Sequence, residues 1–387
     1  MLGEHASGGL ASEFKACHLS NMKVTVAVSG GADSLFALLH LRESGCEVRA
    51  AHALFADTPN ARAAISKVES MCSALGIKLE LFDLRKAFYE QVIEPFIAEH
   101  VAAHTPNPCS ICNRAMKFGV LLEQILPDLS KIPGDNYLAT GHYVRLDDHP
   151  AYGKTLRAGV DKEKDQSYFL ALVPRARLRA YLFPLGGQVK ADILANLAAS
   201  GHTPPLPGES QEICFIPDNN HLSFLEKAQM PGPGPILLYN PPDLPDSPRA
   251  LGPQPAAQLD GQQIGIHKGL WRYTEGQRKG LGVTWREPLF VIARDPVRNA
   301  LIVAQRSRAI QTGCFAHSVN FFVAPQMWPP ELLVRTRYRH LATPARVEVQ
   351  GERLQIIHST PQDPVAPGQV AAIYDSAGFL LAGGILE

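Results

Sequence analysis

The chain has 387 residues, 45% hydrophobic and 19% charged, a balance that fills the cores of two or three soluble domains and excludes a disordered or fibrous chain. Its 37 Lys and Arg balance 37 Asp and Glu, so no global field drives it onto nucleic acid or a membrane, and any RNA binding must use local patches. No apolar run approaches the roughly 18 residues that span a bilayer. Residues 1–21 lack a signal-peptide core and read as a flexible tail, or translation starts at Met22. Without a secretion signal the seven cysteines are expected to be reduced, in a cytoplasmic protein, as core residues, nucleophiles or metal ligands.

In chain order, Val24, Val26 and Val28 alternate as a buried strand. The strand breaks at Ser29-Gly30-Gly31, and a helical pattern begins at Asp33-Ser34. Two glycines let the backbone turn and aim its N–H groups inward, facing the positive end of the next helix, which is a geometry that binds phosphate. No lysine follows, so this is not the GxxxxGK[ST] loop; a plain glycine turn in a βα unit fits the same letters. Residues 48–55 predict a strand, 61–75 a helix, 77–81 a strand, and 85–102 a helix with Pro95 as a break. A helix over 113–125 and a strand over 137–139 follow. Repeated βα units imply a parallel sheet with ligands at the carboxyl ends of its strands, where the Ser-Gly-Gly loop lies. Residues 231–257 are rich in proline and predict a linker or surface insertion. After 288, short strands between turns (289–293, 300–304, 332–338, 345–349, 354–357, 370–374) predict a β-barrel or sandwich. The expected division is a catalytic domain over 22–222, a central domain over 223–288 and a terminal barrel over 289–387.

Four stretches carry the chemistry. Thr105-Pro106-Asn107-Pro108-Cys109-Ser110-Ile111-Cys112-Asn113 stiffens a loop with two prolines and closes it with CxxC before a helix. A thiolate there gains from the helix dipole, which lowers its pKa; zinc, redox and iron–sulfur roles all remain open. Cys214, in Glu209-Ser210-Gln211-Glu212-Ile213-Cys214, reads as reactive or as an inert core residue. Lys164-Asp165-Gln166 reads as a contact surface or a capped helix start. Arg335-Thr336-Arg337-Tyr338-Arg339 offers phosphate binding and base stacking, or a charged strand face.

The string SGGADS resembles the pyrophosphate-binding loop (PP-loop) of enzymes that split ATP into AMP and pyrophosphate. With TPNPCSICNRAMKF, LATGHYVR, KDQSYFL, ESQEICFI, YTEGQRKGLG and the terminal VAPGQVAAIYDSAGFLLAGGILE, it resembles one family closely over residues 23–387: the tRNA-specific 2-thiouridylases. The resemblance implies an α/β fold, with a Rossmann-like PP-loop domain of the adenine nucleotide alpha hydrolase type, a small central domain and a tRNA-binding C-terminal β-barrel. It implies ATP-dependent 2-thiolation of the wobble uridine of tRNAs for Lys, Glu and Gln, a tRNA-uridine sulfurtransferase reaction. ATP would sit on Ala27, Val28, Ser29, Gly30, Gly31, Ala32, Asp33 and Ser34, with Ala53 against the adenine, Gly141 touching the nucleotide, and Asp33 helping to hold Mg2+. Cys214 would carry the incoming sulfur as a persulfide. Cys112 would release it to C2 by forming a Cys112–Cys214 disulfide. A cysteine desulfurase or relay protein would supply the sulfur. Asn107, Pro108 and Cys109 match a contact to the target base, and Lys164, Asp165, Gln166, Arg337 and Tyr338 match tRNA contacts.

Two departures bear on the site. Many relatives carry Asp at the position of Cys109, so Cys109, Cys112 and Cys214 here form a trio that could ligate a 4Fe–4S cluster carrying hydrosulfide on an open iron. Ala53 stands where relatives often carry Met. Competing readings are another PP-loop tRNA-modifying ligase, such as a lysidine synthetase, or a non-enzymatic iron–sulfur or zinc sensor on a nucleotide-binding fold.

Overall fold

The computed structural model describes residues 21–128, 136–206, 213–216, 220–240, 256 and 259–387. The tail expected ahead of Met22 (Asn21 aside), residues 209–212 before Cys214, and most of the proline-rich stretch lie outside the described residues.

The first domain grows from strand β1 (Lys23–Ala27) and helix α1 (Ala32–Glu43), followed by β2 (Glu47–Leu54), α2 (Pro59–Ala74) and β3 (Leu79–Asp83). Helix α1 is buried nearly all round, from Ser34 through Leu39 and again at Leu41, as its continuous apolar run requires. Thr58 starts α2 by accepting a hydrogen bond from Ala61 N–H. Beyond β3 a helical run comprises α3 (Arg85–Phe88), a π-helical turn (Tyr89–Ile93) and α4 (Glu94–Val101). Pro95 does not break this run, contrary to expectation. The wider i→i+5 turn just ahead of it relieves the clash of the proline ring with the preceding turn.

The cysteine motif opens the next helical run: α5 (Pro108–Cys112), a π-helical stretch (Asn113–Val120) and α6 (Leu121–Ile125). Strand β4 (Asn136–Ala139) returns beside β1. A hairpin of β5 (Val144–His149) and β6 (Gly153–Ala158) follows, then α7 (Arg175–Leu178), β7 (Tyr181–Leu182), α8 (Lys190–Ala199) and α9 (His221–Glu226). The sheet order is β3-β2-β1-β4-β7, and every pairing is parallel. With β1 at its centre, the loop after β1 lies at the carboxyl edge where ligands bind.

The central domain is a four-stranded sheet ordered β10-β11-β8-β9, from β8 (Gly234–Leu238), β9 (Gln262–His267), β10 (Leu289–Asp295) and β11 (Ala300–Gln305). The sequence pattern assigned 289–305 to the terminal barrel. The pairing of β11 with β8 puts both strands in the central sheet instead, because alternation reveals a strand but not its partner. After α10 (Arg306–Ala309), six strands close into a barrel ordered β12-β15-β14-β13-β16-β17: β12 (Gln311–Phe321), β13 (Leu332–Arg335), β14 (Thr343–Gln350), β15 (Arg353–Gln362), β16 (Val370–Tyr374) and β17 (Leu380–Leu386). One core joins this barrel to the first domain, with Phe118, Leu138, Tyr168 and Tyr181 packed in the same cluster as Ile356, Ile373 and Leu381. Tyr168 donates its hydroxyl to Val370 O at 3.0 Å across that seam. No helix among the described residues is long and apolar enough to cross a membrane.

Candidate active site

The Ser-Gly-Gly turn is held from both sides. Gly30 adopts φ +86, a conformation open to glycine and costly for other residues. Its carbonyl accepts Leu206 N–H at 3.0 Å. Ser34 Oγ donates to Gly31 O at 3.0 Å and accepts from Ser29 N–H at 3.1 Å, which knits Ser29 to Ser34 into one turn. His52 Nδ1 lies 2.8 Å from Val28 O and must be the donor there, since a carbonyl only accepts. Gly141 lies so close that a Cβ on it would meet the Asp33 backbone carbon and Cβ at 3.1 Å. Asp33 does not stand alone: its Oδ1 accepts both the Tyr143 hydroxyl at 2.6 Å and Lys190 Nζ at 2.6 Å. Sequence spacing gave no hint of Lys190.

The CxxC helix starts earlier than the pattern suggested. Asn107 caps it by accepting Ser110 N–H at 3.0 Å, with Pro108 in the first turn, where a proline loses nothing. Cys109 therefore sits in the first turn and Cys112 lies within the helix. This changes the thiol chemistry. Burial pushes the Cys112 thiol up to about 12, against the pull of the Lys117 cation and with the help of the Cys214 and Cys109 charges. Cys109 and Cys214 reach solvent, yet enough protein surrounds their sulfurs that lost hydration raises both. The expected lowering by the helix dipole is overridden. Lys117 opposes burial at all three thiols. It lies in the π-helical stretch that follows Cys112.

The structure brings both cysteine segments to the carboxyl end of the sheet. Cys112, Phe215 and Ile216 share one hydrophobic cluster, against which Ala27, Ala53 and Ile213 pack. Cys214, between Ile213 and Phe215, is carried with them. Cys109, Cys112 and Cys214 are neighbours and reduced. A 4Fe–4S cluster requires thiolates converging on one point. Among the described residues no three His, Cys, Asp or Glu side chains are placed to hold a metal ion. Cys109 turns to solvent while Cys112 turns into the core, so the trio forms no ready cage for a cluster.

The tRNA-contact candidates divide. Asp165 is buried: its Oδ1 accepts Gly159 N–H at 3.0 Å and Ser167 N–H at 3.1 Å, and its Oδ2 accepts Ser167 Oγ at 2.9 Å and Arg335 Nη1 at 3.1 Å. Gln166 accepts Tyr143 N–H at 3.0 Å. Arg337 donates to Glu275 O and Pro364 O, both at 2.8 Å. Tyr338 stacks on Phe169 with ring centroids 4.3 Å apart. Asp165, Arg337 and Tyr338 hold domains together, Gln166 braces the first domain internally, and Lys164 is half-buried beside them. The expected strand over 332–338 ends at Arg335, whose guanidinium turns to Asp165 and the Tyr338 carbonyl.

One junction was invisible in the sequence. Arg294 and Glu275 form a bidentate ion pair at 3.0 and 2.8 Å, with side chains 0% and 5% exposed. Arg294 also donates to Thr105 Oγ1 at 2.8 Å, and Gln369 donates to Thr105 O at 2.7 Å. The central domain and barrel thus both grip the loop that carries Cys109.

Comparison with known proteins bears on this geometry. A tRNA methyl transferase HUP-domain model matches residues 22–218, a tRNA methyl transferase PRC-barrel model matches 253–305, and an aminomethyltransferase β-barrel model matches 311–386. The tRNA-specific 2-thiouridylase MnmA of Nitratidesulfovibrio vulgaris (Miyazaki F) is 46% identical over 94% of this chain and 99% of its own. That of Oleidesulfovibrio alaskensis is 45% identical with the same coverage, and that of Persephonella marina 35% over 94% and 100%. Likeness to a solved structure is weaker: the U34-tRNA thiolase NcsA of Methanococcus maripaludis, with its 4Fe–4S cluster, matches 54% of this chain and 64% of its own at 17% identity and a TM-score of 0.33, too slight to bear on the site. With relatives of 35–46% identity matched almost end to end, the chain belongs to the tRNA-specific 2-thiouridylase family.

Proposed function

We propose that this chain uses ATP to replace the C2 oxygen of a tRNA uridine with sulfur, at the wobble uridine of tRNAs for Lys, Glu and Gln. The observation that carries the reading is the shared packing of both cysteine segments with Ala27 and Ala53 at the carboxyl end of the sheet. That packing supports a site in which the sulfur carriers lie beside the strand leading into the phosphate loop. The family-model wording names methyl transfer, but transfer of a methyl group from a sulfonium donor releases no pyrophosphate and needs no phosphate loop.

ATP binds with its phosphates on the backbone N–H groups of Ser29 to Ala32 and the positive end of α1. Ala53 faces the adenine and Gly141 lets the nucleotide approach. Asp33 is the carboxylate placed to hold Mg2+, which neutralises phosphate charge when bound. Uridine O2 attacks the α-phosphorus, the bond to pyrophosphate breaks, and O2 becomes part of an AMP leaving group. Cys214 carries a persulfide supplied by a cysteine desulfurase or relay protein. Its terminal sulfur bonds to C2 as AMP departs. Cys112 thiolate attacks the Cys214 sulfur, the S–S bond of the persulfide breaks toward the nucleoside, and a Cys112–Cys214 disulfide remains. A thiol reductant restores both. Cys109, Asn107 and Pro108 line the approach of the base, with Lys164, Asp165, Gln166, Arg337 and Tyr338 at the tRNA-facing seam. A tRNA substrate and reduced thiols suit a cytoplasmic enzyme.

Incubation with ATP, a tRNA transcript and a persulfide donor, read by mass spectrometry of nucleosides, tests this. Wild type yields 2-thiouridine and AMP in equal amounts, and Cys214→Ser yields no 2-thiouridine. Thiolation by Cys214→Ser would overturn the sulfur route, and a different uridine product would favour a PP-loop ligase. Anaerobic purification with iron and labile-sulfide assays addresses the cluster: colourless, iron-free protein that thiolates tRNA supports the persulfide route.

A further inference from the structure

The PP-loop here contains no lysine, yet a bound triphosphate brings three to four negative charges onto a turn whose only ionised side chain is Asp33. Backbone N–H groups and a helix end offer partial charges only. A carboxylate at that spot repels phosphate unless a cation intervenes.

The fold supplies the missing cation from far along the chain. Lys190 opens α8, where its backbone N–H donates to Asp161 Oδ2 at 3.0 Å. Its ammonium lies 2.6 Å from Asp33 Oδ1, across a sequence separation of 157 residues. The lysine side chain is only 10% exposed. Tyr143, itself buried, donates its hydroxyl to the same oxygen at 2.6 Å, and its ring lies 6.0 Å from the ammonium. Gly141, two residues before Tyr143, is in contact with the Asp33 backbone. Lys190, Tyr143 and Gly141 therefore converge on the first turn of α1, on the side from which phosphates would enter.

We propose that Lys190 is a binding residue for the β- and γ-phosphates of ATP, held by Asp33 as an internal counter-ion until the nucleotide arrives. This rests on the reading that ATP occupies the Ser-Gly-Gly loop. When Mg2+–ATP binds, Asp33 exchanges the ammonium for the metal, and the ammonium moves on its flexible four-carbon stem to the phosphate oxygens. Lys190 neutralises Asp33 in the empty site, and in the filled one Lys190 and Mg2+ together set three positive charges against the triphosphate and Asp33, which leaves a smaller negative excess than Mg2+ alone would. The lysine of a GxxxxGK[ST] loop serves phosphate as a point charge from the loop itself. Here the same service comes from the N-terminus of a distant helix. Pyrophosphate would be held by Lys190 after the α–β bond breaks, and its release would return the ammonium to Asp33.

Calorimetric titration of the full chain with ATP, AMP and inorganic pyrophosphate tests this without turnover. Wild type binding ATP establishes the loop reading; no binding overturns that reading and this inference together. Lys190→Met is expected to weaken ATP and pyrophosphate at least tenfold while changing AMP, which lacks the outer phosphates, less than twofold. Lys190→Arg, which keeps the charge, is expected to retain most of the pyrophosphate affinity. Because Lys190→Met strands Asp33, a second pair keeps the test independent of folding. Asp33→Asn removes the carboxylate's hold on the ammonium and is expected to tighten pyrophosphate binding measured without metal. Asp33→Asn/Lys190→Met is expected to lose that gain at least tenfold. Undiminished ATP and pyrophosphate affinity in Lys190→Met, or equal pyrophosphate affinity in the two Asp33→Asn proteins, would overturn the proposal while leaving the loop reading intact. An equal loss of AMP and ATP would also overturn it, because the pocket rather than the phosphate contact would then have changed.

Discussion

The resting state of Cys112 should be chemically quiet, and the structure says by how much. Burial lifts its thiol from 9.0 to about 12, so at pH 8 its thiolate fraction falls about a thousandfold below that of an unperturbed cysteine. A more basic thiolate is a better nucleophile, with a Brønsted coefficient of roughly 0.4–0.5, which returns about twentyfold of that loss. The net expectation is alkylation at pH 8 roughly fiftyfold slower than a free thiol, before any steric hindrance. Timed iodoacetamide labelling of the resting protein, followed by peptide mass spectrometry across pH 7 to 10, measures it directly. The Cys112 rate should climb about tenfold per pH unit with no plateau in that window. A plateau below pH 9, or a rate at pH 8 within about threefold of free cysteine, would refute the desolvation argument and restore the dipole-activated thiolate. The sign of the linkage is also fixed. A thiol whose folded pKa is raised favours the fold below the unfolded pKa near 9.0, and this contribution is lost as pH rises toward about 12.

Two further predictions concern the domain junctions. Arg294→Met leaves the Glu275 carboxylate buried without a partner and should cost about 3–5 kcal/mol, whereas Arg294→Met/Glu275→Gln should recover most of that; a thermal and urea double-mutant cycle with coupling below about 0.5 kcal/mol would show that the pair does not clamp the Thr105 loop. Asp165→Ala should loosen the barrel and lower the melting temperature clearly, because it strips Arg335, Ser167 and Gly159 of their acceptor, while Lys164→Ala should weaken tRNA binding and its salt dependence with little change in melting. Equal stability losses in the two variants, by differential scanning fluorimetry beside a filter-binding titration, would contradict this division of labour.

Much of the site could be read from the letters. The alternation at Val24, Val26 and Val28 followed by two glycines marked a strand and a tight turn, and Gly30 does take a positive φ there. The parallel sheet and a barrel near the end follow from periodicity, and the CxxC loop and Cys214 stand out as candidate sulfur residues from their motifs. Other features depended on contacts between residues far apart in sequence. Strands at 289–305 look alike whichever sheet they join, and only pairing with β8 settles it. Asn107 and Asp165, expected as RNA contacts, also have structural partners that the letters did not show: a helix N-terminus and buried donors engage their oxygens. Composition could not show that Cys112 is desolvated, because a helix dipole is a local property while burial is a property of everything packed around the sulfur.

What the sequence alone determined is the local chemistry: a turn that presents backbone N–H groups, thiols in two separated motifs, and the periodicities that name the elements. These are set by near neighbours and their allowed dihedral angles. The tertiary structure decided which charges face one another. Lys190 reaches Asp33, Arg294 reaches Thr105, and Lys117 faces the thiols only after the sheet, the central domain and the barrel have packed, because electrostatic and desolvation energies depend on distance through space rather than along the chain.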